Sequence, residues 1–429
     1  MIQQPLARGL SPVRAALENG LVAIAQESDA APAVSINLTV YAGSVREPEN
    51  LCGLAFLTGQ TLDRGTSSRS STEIAGELDD RGVSVRASVT RHTLTLSSTC
   101  LSQDFPAVLS LLADMVQHPS FPVEEVENRR AEAITTVSQD ADSTAVRSIE
   151  GLMELLYGVN HPYACPWRGT VSSLRRIGRQ DILAFHGKHV VPSAVRLAVV
   201  GDVDAGLVMD LARCEFADWR AARAGYDLVP PPPVAMRRAT VIDMPGKSQS
   251  DIAYGFTAIR RLDPRFPAYW MMNNVLGQFG LGGRLADNIR ERQGMAYYAF
   301  STFEGTIGEG PLLVRAGVDP LNVQRAVEAI DSEVRKLHDE GPTVDEVEET
   351  RESLIGSIPR MFETNESIAE FLQTSEQFGL GLDYDRQLPL LLEQVTFDQV
   401  RDAARELLDV DRAAVAVAGP DRNQSQPYR

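Results

Sequence analysis

Residues 123–130 read VEEVENRR, and 221 positions later residues 344–351 read VDEVEETR. A second pair lies at nearly the same offset. VRLAVVGDVD at 195–204 resembles AAVAVAGPDR at 413–422, a shift of 218 when Gly201 is paired with Gly419. Each apolar run follows a helical stretch, QDILAFHGKHVV before the first and FDQVRDAARELL before the second. Near-equal offsets mean that one unit of about 220 residues occurs twice. Between the copies lies AARAGYDLVPPPPVAMRRA, whose consecutive prolines Pro230 to Pro233 forbid helix and suit a stiff extended linker. The chain therefore divides into an N-terminal domain over 1–220, a proline-rich linker over 221–235 and a C-terminal domain over 236–429.

Within each unit, alternating apolar segments predict strands: SINLTVYAG (35–43), VSVRASVTRHTLTLSSTCL (83–101), YYAFSTFEG (297–305) and GPLLVRAGV (310–318). Longer amphipathic segments predict helices, among them DFPAVLSLLADMVQHP (104–119), EVENRRAEAITTVSQ and LNVQRAVEAIDSEVRKLHDEG (321–341). Runs of strands followed by runs of helices argue for an α+β class. Each unit is then a mostly antiparallel or mixed sheet covered by helices on one face.

With 429 residues, 43% of them hydrophobic, the chain has material for large cores. No run of 18 apolar residues suggests a membrane span. The start, MIQQPLARGLSPVRAALENGLVAIAQE, lacks a charged region followed by an apolar one and reads as carrying no signal peptide. Cys52, Cys100, Cys165 and Cys214 lie far apart with no C-x-x-C pair. That spacing argues for free thiols in a reducing compartment, hence the cytoplasm. A net charge of −17 disfavours nucleic acid and anionic membranes as partners. It suits solubility, or the steering of basic peptides.

Residues 53–66, GLAFLTGQTLDRGT, resemble the zinc-binding helix of the pitrilysin/insulysin-type metallopeptidases, the inverted zincins, with its pattern G-L-A-H-F-L-E-H-x-L-x-x-G-T. The framework residues fall in register, but Phe56, Gly59 and Gln60 stand where that motif has His, Glu and His. Zinc needs imidazole or carboxylate donors, and the motif's Glu serves as general base. Phenylalanine cannot ligate, glycine has no side chain, and Gln60 offers at best a weak neutral oxygen. The third ligand implied by the resemblance, a Glu about eighty residues on, falls at Thr136. Glu132 lies one helical turn earlier. The expectation is no metal and no cofactor in this chain.

The resemblance spans essentially the whole chain. LENGLVAIAQESDAAPAVSINLTVYAGSVREPENLCG looks like the family's opening strand pair, and HPYACPWRGTVSSLRRIGRQDILAFHGKHVVPSAVRLAVVGDVD like the close of its first domain. It implies the α+β fold twice over, the two units facing across a cleft. In the second unit, GQFGLGGRLADNIRERQGMAYYAFSTFEG (277–305) resembles the segment in which an Arg is followed seven residues later by a Tyr, here Arg290 and Tyr297. In the family this pair faces the zinc, the Arg gripping a peptide carbonyl and the Tyr stabilising the oxyanion. The loop containing Gly277, Gly280, Gly282 and Gly283 is no P-loop, because Arg284 and Leu285 follow instead of Lys and Ser or Thr. It reads as a mobile, substrate-touching loop like that of the non-catalytic α subunit of the mitochondrial processing peptidase, or as a plain strand-to-helix turn.

Other candidates carry less. His186 and His189 sit three residues apart at a helix end with no third ligand apparent, and His161 reads as a loop residue. No G-x-S-x-G elbow occurs. The resemblance thus implies a non-catalytic subunit of a heterodimeric inverted-zincin peptidase, lending Arg290, Tyr297 and its loop to peptide substrate. Its partner is a paralogous subunit with an intact His-x-x-Glu-His helix. The alternative is a silent structural or peptide-binding protein of the same fold, like the core subunits of respiratory complexes.

Overall fold

The computed structural model describes residues 9–221, 225, 228–278 and 283–420. Among these residues eleven strands form two sheets. The first contains β1 (Val13–Ala16), β2 (Val22–Glu27), β3 (Ala33–Val40), β4 (Val85–Val89), β5 (Leu94–Leu101) and β6 (Val195–Gly201), in the order β1-β2-β6-β3-β5-β4. The second contains β7 (Arg238–Asp243), β8 (Ser250–Thr257), β9 (Ala296–Phe303), β10 (Pro311–Val318) and β11 (Ala414–Gly419), in the order β7-β11-β8-β10-β9. Apart from β1 the two orders are the same. So are the pairings, with β2·β6 and β7·β11 parallel and the remaining pairs antiparallel. The repeated sequences occupy equivalent places: VEEVENRR opens the helix Val123–Asp140 and VDEVEETR the helix Val344–Ser357, while the apolar runs are β6 and β11.

The expected cover on one face needs correction, because β3 and β8 are buried on both sides of the pleat. Val34, Ile36, Leu38 and Val40 point into the main core with Leu94, Leu96, Leu109 and Leu112. The alternate residues Ser35, Asn37 and Thr39 are buried as well. Ser35 and Thr39 pair with Thr99 and Thr95 across the ladder at 3.0 and 2.7 Å. Over that side of the sheet lies the helix Asn365–Gln377, packed on β6 and β3. Its Ile368, Ala369 and Leu372 bury Val22, Ile24, Ala198 and Val200. Gln373 reaches Thr39, Asn365 donates to Ala33 O at 3.1 Å, and Arg14 clasps Glu376 at 2.8 Å.

In the second unit the helix Thr144–Tyr157 packs on β8 and β11. Close approach is possible because β11 is AVAVAG and the helix places Gly151 against it; a Cβ there would sit 2.8 Å from Ile242 Cδ1 and 3.4 Å from Ala416 Cβ.

The linear division at the proline-rich linker therefore needs correction. One compact unit is 1–137, 166–227 and 358–388; the other is 138–165, 228–357 and 389–429. Helices Thr144–Tyr157 and Asn365–Gln377 start 221 residues apart, the repeat offset, so each copy gives the same helix to the other's sheet. A second correction concerns the cysteines. Cys100 and Cys214 are free, but Cys52 and Cys165 are disulfide-bonded. The loop following Cys165 runs along Cys52, where a Cβ on Gly169 would meet Cys52 O at 2.3 Å, a closeness invisible in sequence spacing. With two of the four cysteines bonded, their spacing no longer points to a reducing compartment. Among the described residues, no helix is long and apolar enough to cross a membrane.

The exchange predicts that residues 1–220 expressed alone aggregate or bind the dye ANS, because Val22, Ile24, Ala198 and Val200 lose their cover. Co-expression with residues 221–429 as a separate chain should restore solubility, with both pieces co-purifying. A soluble, cooperatively melting 1–220 fragment would refute this.

Candidate functional site

The stretch that resembles a zinc helix does form a helix, Leu54–Gly59. Gly53 caps it in the left-handed region (φ 91°), with its α-carbon against Arg168 O and Gly169, where a Cβ has no room. Leu54, Ala55, Leu57 and Leu62 are core residues. Gly65 and Thr66 close the segment, Thr66 Oγ1 donating to Asp114 at 2.7 Å.

The three chemical positions are all used for packing. Phe56 meets Trp167 edge to face, ring centroids 5.5 Å apart. A Cβ on Gly59 would lie 2.8 Å from Val89 Cγ2, so the site of a catalytic carboxylate is taken by a strand residue. Gln60 donates its amide to Ala87 O at 3.3 Å. Thr136 Oγ1 donates to Glu132 O on its own helix, and the Glu132 carboxylate pairs with Arg129 at 2.5 Å. These residues do not fit a zinc ion.

One acidic residue went unremarked in the sequence. Glu47 reaches the start of the helix, accepting from Gly53 N at 3.0 Å and Ala55 N at 2.7 Å. Burial, opposed by these two amides, pushes its carboxyl up to about 8. The available signal was a Glu six residues ahead of the helix-opening glycine.

In the second unit, Arg290 lies on the π-helical segment Ala286–Arg292 and is exposed. The segment is pinned by Asn288, which donates to Glu333 at 2.6 Å, and just ahead of it Arg284 clasps Glu346 at 2.6 and 2.7 Å. Arg290 is left facing outward with Glu291 3.6 Å away. Tyr297 is 84% exposed. Its position is set by a β-bulge on the edge strand β9, where Gly317 pairs with Tyr298 and Val318 with Ala296, so that Tyr297 is the extra residue. Bulges of this kind redirect a side chain and recur beside functional sites.

Gly277 and Gly283 are buried at the base of the glycine-rich loop. A Cβ on Gly283 would be 2.5 Å from Gly277 Cα, and one on Gly277 would be 2.7 Å from Leu285 Cδ1. Gly280 and Gly282 lie outside the described residues.

The histidines have packing partners. His186 bonds Val116 O through Nε2 at 2.8 Å. His189 lies against Phe185, and burial lowers it to about 4. His161 accepts from Tyr163 N at 3.0 Å.

Residues 22–160 match the family model for insulinase, peptidase family M16, and residues 176–354 match that for the peptidase M16 inactive domain. An uncharacterized zinc protease of Mycobacterium leprae is 25% identical over 424 residues, 97% of this chain and 94% of that protein. Cytochrome b-c1 complex subunit 1 of Rattus norvegicus is 26% identical over 201 residues, 47% of this chain and 42% of that protein. A crystal structure of a peptidase M16 inactive domain from Pseudomonas fluorescens has the same fold, with a TM-score of 0.90 at 24% identity, covering 97% of this chain and all of that one.

Glu47 makes a pH signature. A carboxyl raised in the folded state adds stability that is fully present below its unfolded value of 4.5 and is lost as pH rises through about 8. Urea unfolding across that range should show the wild type losing stability relative to Glu47→Gln as pH rises. Parallel profiles would contradict the assignment.

Proposed function

Because the chain belongs to peptidase family M16, the insulinase family, we propose that it is the non-catalytic subunit of a two-chain peptidase. Arg290, Tyr297 and the 277–283 loop contact the peptide, and a paralogous partner carries the intact His-x-x-Glu-His helix. The observation that carries this reading is the contrast between the two units. Where the family's ligands belong, Phe56, Gly59 and Gln60 are committed to packing, whereas Arg290 and Tyr297 remain exposed, Tyr297 on a bulge. A packing role would not need a tyrosine 84% exposed.

The chemistry follows from the two side chains. A guanidinium presents several fixed donors to a peptide carbonyl, holding its register. A phenol hydroxyl donates to the oxygen that gains negative charge as the carbonyl carbon becomes tetrahedral, a bond stronger in the transition state than in the ground state. Neither side chain supplies a nucleophile or a base, so both act on a reaction whose water is activated by the partner.

A second reading, a structural subunit, is favoured by the likeness to cytochrome b-c1 complex subunit 1. It accounts equally for the packed zinc-helix positions but gives Tyr297 no task.

Purified alone, the chain should bind no stoichiometric zinc and cleave no peptide. One-to-one zinc with chelator-sensitive turnover would end the proposal. In a complex reconstituted with its partner, Arg290→Ala or Tyr297→Phe should each lower turnover by roughly 10²-fold, as for loss of an oxyanion donor. Unchanged rates in both variants would favour the structural reading.

A further inference from the structure

Strand β8 carries a carboxylate in the interior of its unit. Asp251 is 1% exposed, and a buried carboxylate without donors costs several kcal/mol. Its oxygens are fully engaged. Oδ2 accepts from Thr144 Oγ1 at 2.5 Å and from Gln249 Nε2 at 3.1 Å. Oδ1 accepts from Gln249 Nε2 at 3.2 Å and from the Tyr298 hydroxyl.

The Tyr298 bond passes over a whole strand. Asp251 on β8 pairs with Gly317 on β10, and Gly317 pairs with Tyr298 on β9, so the three stand in one row. Residues two strands apart are separated by about 10 Å at Cα. A tyrosine and an aspartate close that span only if the residue between them is small. Gly317 meets the condition: a Cβ there would lie 2.7 Å from both Gln249 Nε2 and Tyr298 Cε1. Burial and the neighbouring carboxylate push the Tyr298 phenol well above its usual range, so it remains a donor throughout the neutral region.

The bridge lands beside the bulge. β9 is the edge of its sheet, with β10 as its one neighbour in the strand order. A bulge next to an edge loosens the ladder where Tyr297 sits. Tyr298, the next residue, is the one tied across to the buried strand β8.

We propose that Asp251 and Tyr298 are a positioning pair for Tyr297. Their bond over Gly317 fixes β9 at its bulge, and so fixes the direction in which Tyr297 presents its hydroxyl to a bound peptide. This rests on the reading that Tyr297 touches peptide.

The full-length chain and four variants test it: Tyr298→Phe, Asp251→Asn, Tyr297→Ala and the double variant Tyr297→Ala/Tyr298→Phe. Two quantities are read, the affinity for fluorescein-labelled β-casein by anisotropy and the deuterium uptake of the amides of 296–299. Tyr298→Phe keeps the ring and removes only the bond, so it stands in should Asp251→Asn fail to fold. Tyr298→Phe should speed exchange at 296–299 by roughly tenfold or more, the loss expected for a bond to a charged group. It should also weaken β-casein binding nearly as much as Tyr297→Ala does. The double variant should bind no more weakly than Tyr297→Ala, because both changes remove one contact. If Tyr297→Ala weakens binding and Tyr298→Phe does not, the positioning pair is wrong and the peptide-contact reading stands. If Tyr297→Ala changes nothing, or the wild type does not bind, the peptide-contact reading fails and the pair falls with it.

Discussion

A sheet buried on both faces must find two layers of cover, and this chain finds the second layer in the other half of its own sequence. Val34 through Val40 of β3 and Ser250 through Phe256 of β8 are buried on both sides of the pleat. The large helical core supplies one side of the first sheet. The other side is closed by Asn365–Gln377, and in the second unit Thr144–Tyr157 closes β8 and β11. Everything else depends on that exchange, because neither contiguous half can dry both faces of its own sheet. At about 1.5–3 kcal/mol per buried Val or Ile, uncovering Val22, Ile24 and Val200 costs an amount comparable with a typical domain's whole margin of stability.

The segment that resembles a zinc helix is held in shape independently of the three motif positions. The segment 53–66 is held by residues that never touched a metal: Gly53 packed on Gly169, Leu54 and Leu57 in the core, Thr66 on Asp114, and Glu47 on the opening amides. Within that frame Phe56 packs against Trp167 and Gln60 donates to Ala87 O. Gly59 even relieves a contact, since any larger residue would press on Val89.

The repeat, the α+β class and the strand segments were legible because they follow from periodicity and from matching offsets. The exchange was not: Thr144–Tyr157 and Asn365–Gln377 are ordinary amphipathic helices, and nothing in a 3.6-residue period says which sheet a helix covers. The second cover of β3 was hidden for a related reason. Alternation puts Ser35, Asn37 and Thr39 opposite the apolar side chains without saying what lies over them, and in the fold cross-strand threonines and Gln373 satisfy Ser35 and Thr39 beneath a helix. The cysteine spacing hid a disulfide because Cys52 and the loop after Cys165 meet only in the fold. At the site, the residue types at 56, 59 and 60 were readable directly but their packing partners Trp167, Val89 and Ala87 were not, and Glu47 and Asp251 owe their character to burial, which single positions do not announce.

The same exchange reaches the exposed tyrosine. Thr144 is the first residue of the helix that crosses to the second sheet, and its hydroxyl is one of the donors that hold Asp251. Asp251 in turn holds Tyr298, the neighbour of the bulged Tyr297. Fixing Tyr297 thus requires the helix donated by the N-terminal copy, the central strand β8 and the gap left by Gly317. Thr144, Asp251 and Tyr298 stand in mutual reach although apolar residues of similar size would fill a sheet interior at no desolvation cost, so the cluster does more than fill space.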